Sequence, residues 1–205
     1  MSDASKPKAA VFDIGRVIIQ WDLRHLFAKL IDDSQALDHF LTHVVSEKWH
    51  HQQDEGRALS EMVAERKREF PQFADLIEAY ATRFNETILG PVAGTHELIE
   101  RLDAAGVPLF GLSNFGGDFW DDFRREWPVF DRFGDIVVSG HEKCAKPAAR
   151  IYDIAEARFG LPPQDLLFID DKAENIDAAT ARGWHGHVFT DAQALEADLV
   201  RQGLL

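Results

Sequence analysis

Apolar residues along this chain fall into two rhythms. Five short β-like runs stand out, residues 9–14, 108–112, 136–139, 166–169 and 187–190, several of them apolar almost without a break. Runs of that length without alternation are what strands covered on both faces look like. Between the later runs the spacing lengthens to the helical period, over residues 95–105, 118–126, 148–159, 173–182 and 192–201. Gly106, Gly160 and Gly183 follow three of these segments, where a helix needs a residue that tolerates a left-handed backbone. Strand and helix in alternation predict an α/β fold, a doubly wound, Rossmann-like parallel sheet.

One interval breaks the alternation. Residues 23–88 carry no convincing strand and read as four or five amphipathic helices, for example LRHLFAKLI and SEMVAERKREF. A crossover between parallel strands needs only about a dozen residues. The excess predicts an inserted helical subdomain, a cap over residues 21–88, on a core made of residues 1–20 and 89–205. An insertion after the first strand hangs over the carboxyl ends of the strands, where open α/β sheets bind ligands.

Composition narrows the partners. The 205-residue chain has a formal net charge of −13 and no basic stripe, so a nucleic-acid partner is not expected. No stretch approaches 18 apolar residues, so no membrane span is expected. The start, MSDASKPKAA, leads into a run that is too short and too charged for a signal peptide. The single cysteine, Cys144, cannot form an internal disulfide; with no histidine near it to make a thiolate, it reads as structural. Together these predict a cytoplasmic protein with a small-molecule partner.

The chemistry gathers where the strands end. The first run ends at Asp13, the second at Ser113 and Asn114, the fourth at Asp170 and Asp171; Lys146 follows the third. In a parallel sheet all of these fall on one edge. Adjacent acids repel unless a cation joins them or one is protonated. A hard divalent ion such as Mg²⁺ suits carboxylate oxygens. With the ammonium of Lys146 and the neutral donors of Ser113 and Asn114, such an edge suits an anion carried beside a metal, phosphate above all.

Four such features in this order, FDIGRV, LSN, Lys146-Pro147 and IDDKAENIDAA, resemble the haloacid dehalogenase-like hydrolase superfamily, and the helical insertion resembles that family's cap. The resemblance covers nearly the whole chain. It implies that Asp13 is a nucleophile forming an aspartyl-phosphate, that Ser113 and Asn114 hold phosphoryl oxygens, and that Lys146 neutralises both nucleophile and phosphoryl group. It further implies that Asp171, helped by Asp170 and Asp13, holds Mg²⁺ together with the backbone carbonyl of Gly15.

The chain also departs from the family. Most phosphatases of the superfamily carry a second aspartate two residues after the nucleophile, which protonates the leaving oxygen; here that position is Gly15. Three readings stay open. One is a Mg²⁺-dependent phosphatase acting on a small phosphorylated metabolite whose leaving group needs little acid help, such as a sugar 1-phosphate. The pattern DIG before a β-branched residue is similar to glucose-1-phosphate phosphatase-type enzymes. A second is a 2-haloacid dehalogenase using Asp13, since halide takes no proton. Tyr152, six residues after Lys146, has the spacing of a tyrosine in those enzymes, although a packed helix explains it too. A third is a non-catalytic metal- or phosphate-binding module. The acids Asp170 and Asp171 favour phosphate, because a haloacid brings a carboxylate of its own.

Other residues read more plainly. His39 and His43 share a helix face and read as a surface pair. In SEKWHHQQDEGR, His50 and His51 lie beside Trp49, Gln52 and Asp54, and adjacent helical residues point apart, so not all can face a substrate. Trp21 and Asp22 sit at the entry to the insertion. Arg16, close to Asp13, could read a substrate anion, but alternation would turn it away from Asp13's face. Asn175 reads as a support for the loop after Asp171. Phe115, Phe119 and Trp120 read as an apolar wall near Asn114, and core packing explains them equally well.

Overall fold

A computed structural model describes residues 6–205; the first five residues, part of the stretch judged for a signal peptide, lie outside the described region. Five parallel strands form the central sheet: β1 (Ala9–Phe12), β4 (Leu109–Ser113), β5 (Asp135–Val138), β6 (Leu166–Asp170) and β7 (His185–Val188), in the spatial order β5-β4-β1-β6-β7. Strand β1 is central and buried throughout. Its side chains alternate between two cores: Ala10 and Phe12 join Leu109, Leu167 and Ile169 on one face, while Ala9 and Val11 join Leu112, Leu166 and Phe168 on the other. This explains the unbroken apolar runs, since both faces of the sheet are covered. Each fully buried aliphatic side chain contributes about 1.5–3 kcal/mol.

The predicted helices appear as α6 (Thr95–Ala104), α7 (Gly117–Arg125), α9 (Ala149–Phe159), α10 (Ala173–Thr180) and α11 (Ala192–Gln202). Gly160 has φ 66°, and its N–H reaches the carbonyl of Glu156, as a left-handed terminating residue should. One single-turn helix went unforeseen, α8 (Ser139–Glu142). The last strand begins two residues earlier than expected. His185 and His187 pair with Leu167 and Ile169, and the polarity of HGHV suits a strand at the sheet edge.

Residues 23–88 contain five helices, α1 (Leu23–Phe27), α2 (Ser34–His43), α3 (Glu47–Asp54), α4 (Leu59–Glu69) and α5 (Ala74–Thr82). The sequence reading missed how this segment is joined. Strands β2 (Ile19–Trp21) and β3 (Ile88–Pro91) pair antiparallel, so entry and exit run side by side as a two-stranded ribbon. The expected boundaries, 20/21 and 88/89, cut through that ribbon. Three-residue strands carry too little periodicity to be seen in sequence.

Candidate active site

Strand β1 stops at Phe12 because the next seven residues turn back on themselves. The carbonyl of Ile14 accepts from the N–H groups of Ile18 and Ile19, and the N–H of Arg16 donates to Ile19. Arg16 sits at φ 62°, a left-handed position that strains a residue with a side chain. The alternation assumed for Arg16 therefore ends before reaching it. Arg16 does not turn away: its guanidinium lies over the Trp21 ring at 5.1 Å, pairs with Glu47 and lines the same cavity as Asp13. Gly15 lies outside the left-handed region, and no heavy atom comes within 4 Å of where its Cβ would stand.

At the carboxyl edge Lys146 is the hub. Its buried Nζ donates to Asp13 Oδ1 at 2.9 Å, to Asp170 Oδ2 at 2.7 Å and to the Leu112 carbonyl at 2.7 Å. All three ammonium hydrogens are used. Asp13 Oδ1 also accepts the N–H of Ile14 at 2.7 Å. Asp170 is fully buried at the end of β6 and accepts from Lys172 N–H and Asn175 Nδ2 as well. Asn175, read as a support for this loop, therefore braces Asp170. Asp13, Asp170 and Asp171 each offer an oxygen within a 4.8 Å cluster that could hold a metal ion.

The electrostatics of this cluster call for a cation. Burial above all, with Asp170 and Asp171 adding to it and Lys146 pulling against it, holds the Asp13 carboxyl up at about 7. Burial likewise raises Asp171, with Asp170 adding to it. For Lys146 burial works against the charged form, but Asp13 and Asp170 outweigh it and hold the ammonium above its ordinary value. Three carboxylates share one ammonium, and a divalent ion fits that donor set.

The neutral donors divide. Ser113, at the end of β4, is buried with no hydrogen-bond partner for its Oγ among the described residues. A buried hydroxyl left alone costs free energy unless a ligand or water satisfies it. Asn114, expected to face phosphoryl oxygens, is engaged elsewhere: its Oδ1 accepts the Lys146 N–H at 2.8 Å and its Nδ2 donates to the Lys146 carbonyl at 3.0 Å. It fixes the backbone that carries the hub lysine, and one N–H of its amide is left over.

Opposite this edge stands helix α3. Ser46 caps it, accepting the Trp49 N–H at 3.2 Å. That start sets the phase so that Glu47, His50, His51 and Asp54 all border the cavity with Asp13. Of the residues weighed in this stretch, His50, His51 and Asp54 border the cavity, while Trp49 and Gln52 do not. The cavity holds about 340 Å³ and is completed by Trp21, Phe84, Phe115 and Lys172 among others. The sequence reading missed Glu47, Lys48, Phe84 and Lys172. The positions 47, 50, 51 and 54 do form an i, i+3, i+4, i+7 stripe, a signal available in the sequence but written in polar residues.

Several candidates fall to packing. Tyr152 is fully buried and donates to the Asn175 carbonyl at 2.9 Å, in the core rather than the cavity. Phe119 and Trp120 pack in the core, while Phe115 reaches the cavity. His39 and His43 lie with ring centroids 4.7 Å apart, tilted by 49°, on an exposed face. No helix among the described residues is long and apolar enough to cross a membrane.

Comparison with known proteins agrees with this geometry. Residues 7–183 match the model of the haloacid dehalogenase-like hydrolases. The chain is 28% identical to the sesquiterpene phosphatase astK of Aspergillus oryzae, over 91% of this chain and 92% of that protein. It is 30% identical to an (S)-2-haloacid dehalogenase of Pseudomonas putida, over only 47% of this chain and 42% of the other. Among solved structures it resembles a HAD family enzyme of Bacteroides thetaiotaomicron in complex with magnesium and inorganic phosphate, with a TM-score of 0.69, 20% identity and coverage of 90% and 95%. An L-2-haloacid dehalogenase of Xanthobacter autotrophicus has a TM-score of 0.61 at 17% identity, covering 97% and 84%. With the family model spanning most of its length and the strand-end cluster in place, the chain belongs to the haloacid dehalogenase-like hydrolases.

Proposed function

We propose that this hydrolase is a Mg²⁺-dependent phosphatase of a small phosphorylated molecule, working through an aspartyl-phosphate on Asp13. The observation that carries the reading is the cluster of Asp13, Asp170 and Asp171, with a single ammonium among them and the unpartnered Ser113 hydroxyl beside it. A haloacid would add a further carboxylate to this site. A phosphate ester beside Mg²⁺ removes the imbalance. Sequence similarity that runs the full length of a phosphatase, against about half the length of the (S)-2-haloacid dehalogenase, supports the same choice.

In this reading Asp13, Asp170, Asp171 and the Gly15 carbonyl hold the ion, which when bound supplies positive charge to the phosphoryl oxygens. Asp13 Oδ1 is tied by Ile14 and Lys146, which orients the carboxylate and leaves Oδ2 to attack phosphorus. Ser113 Oγ and the spare N–H of Asn114 donate to phosphoryl oxygens. Lys146 offsets negative charge on the nucleophile. Helices α1–α5 act as the cap. The faces of Trp21, Phe84 and Phe115 meet an organic group carrying an apolar side. A sugar 1-phosphate and a terpenyl monophosphate are the first substrates to assay.

The test measures phosphate release across such a panel, and halide release from 2-chloropropionate, each with Mg²⁺ and with chelator. Phosphate release that needs Mg²⁺ is the expected result; halide release undiminished in chelator would defeat the proposal. Binding adds a second check. Mg²⁺ at about 100 times its Kd stabilises the folded state by about 2.7 kcal/mol and raises Tm. Asp171→Ala abolishes that rise.

A further inference from the structure

Resting on the phosphatase reading, we propose that His51, held by Asp54, is the catalytic acid and base that passes the proton to and from the leaving oxygen. Attack by Asp13 is in line, so the leaving oxygen lies on the side of phosphorus away from Asp13. The groups on the near side are committed: Asp170 and Asp171 to the metal, and Lys146 to two carboxylates and a carbonyl. Gly15 offers no side chain. Helix α3 carries the imidazoles that border the cavity, and it is there that the proton donor is placed.

On that helix, His51 is a half-exposed imidazole whose Nδ1 meets Asp54 Oδ2 at 3.3 Å. Asp54 is buried, and its bond draws the imidazole pKa upward despite partial burial; Glu55 adds to the rise, and Lys172, from the loop after β6, opposes it. Its other nitrogen, Nε2, has the exposed Glu55 carboxylate at 3.9 Å, beyond hydrogen-bond range, and is open to substrate; an imidazole oriented by a carboxylate in this way is the arrangement acid–base catalysis uses.

A relay behind the pair keeps Asp54 available. The Gln53 amide puts its NH₂ toward the Asp118 carboxylate at 3.4 Å, so its Oε1 accepts from Tyr80 OH at 3.1 Å. Having donated there, Tyr80 accepts from His50 Nδ1 at 2.6 Å. The neutral His50 therefore presents a bare Nε2 to Asp54 Oδ1, 3.6 Å away, and burial holds its pKa down. Asp54 Oδ1 makes no hydrogen bond among the described residues. Neutral His50 gives Asp54 no proton, so His51 is the donor that satisfies the carboxylate. Gly116 belongs to the same device: a Cβ there would stand 2.4 Å from the Gln53 side chain.

The proton balance closes. As Asp13 Oδ2 bonds to phosphorus, the ester P–O bond breaks and its electron pair takes the proton of His51 Nε2. Neutral His51 then removes a proton from the water that attacks the aspartyl-phosphate. Phosphate and the Asp13 carboxylate leave, and His51 is protonated again.

The experiment compares kcat/KM for 4-nitrophenyl phosphate and glycerol 3-phosphate, because kcat/KM reads steps only through transfer to Asp13. Wild type, His51→Gln, Asp54→Asn and His51→Gln with Gly15→Asp are assayed with Mg²⁺, each shown folded by its Tm. In His51→Gln the alkyl ester loses about 10²-fold or more, the nitrophenyl ester less than about 10-fold, and a burst of nitrophenolate precedes slow turnover. Asp54→Asn shifts the basic limb of the pH profile downward, since the imidazolium loses the carboxylate that holds its proton. The added Gly15→Asp restores part of the alkyl rate. Equal losses on both esters, or none, would overturn the assignment while leaving the phosphatase reading intact. No phosphate release from any ester by wild type would overturn both.

Discussion

Replacing Asp13 by Asn is expected to lower turnover by at least about 10⁴-fold, since an amide cannot form the covalent phosphoryl intermediate. The fold stays, and the metal-free variant gains stability relative to wild type in a defined pH window. Burial raises the Asp13 pKa from 3.8 to about 7, with Asp170 adding and Lys146 opposing. A carboxyl raised on folding is harder to ionise in the native state than in the unfolded chain. Wild type therefore loses stability as pH climbs from about 4 to about 7, and Asn, which never ionises, does not. Urea denaturation at several pH values in chelator reads the divergence. It should be absent near pH 4, grow toward pH 7 and then level off. Mg²⁺ closes the gap from the wild-type side, because the ion binds the ionised carboxylate. Parallel stability curves for the two proteins would mean that Asp13 is not the strained acid of this site.

Lys146→Met is the second large effect. Its ammonium is buried, and its three hydrogens go to Asp13, Asp170 and the Leu112 carbonyl. Methionine fills similar volume but leaves two acids facing each other in the interior. Removing one partner of a buried ion pair costs about 3–5 kcal/mol. The ammonium pKa is raised on folding, so its contribution is fully present at every pH below the unfolded value of about 10.4 and is lost only above it. The wild type thus has its full benefit at pH 5 and pH 8 alike. The variant can escape at low pH by protonating Asp13, so its urea midpoint falls further at pH 8 than at pH 5. Lys146→Arg should not rescue activity, since a planar fork cannot direct three hydrogens at three acceptors around one nitrogen. A Lys146→Met protein with a wild-type midpoint at pH 8 would refute the hub role.

The two variants probe the part of the site that was legible along the chain. Strands covered on both faces leave unbroken apolar runs, and in a parallel sheet every such run delivers its next residue to the same edge. Asp13, Ser113, Asp170 and Asp171 could be placed together for that reason alone. The helical segment was legible as an excess of length over what a crossover needs. The ribbon of β2 and β3 that ties off its ends was not, because three residues cannot display a period. The α3 stripe of Glu47, His50, His51 and Asp54 has the right period but the wrong polarity for a search that looks for buried faces.

Arg16 and Asn114 show what local reasoning leaves out. Period-two alternation assumes that a strand continues, and the turn closed on the Ile14 carbonyl ends it one residue before Asp13. Nothing in FDIGRV announces that turn. Asn114 sits where the motif puts it, but its amide is drawn to the backbone of Lys146, 32 residues away in the chain. By itself the sequence determined the sheet, its order of chemistry and the edge where the acids meet, because those follow from burial and chain direction. Only the tertiary structure decided what faces them across the cavity. Which ring nitrogen of His50 carries the proton depends on Tyr80, Gln53 and Asp118, drawn from three helices, and hydrogen-bond direction passes between groups in contact, whatever their separation along the chain.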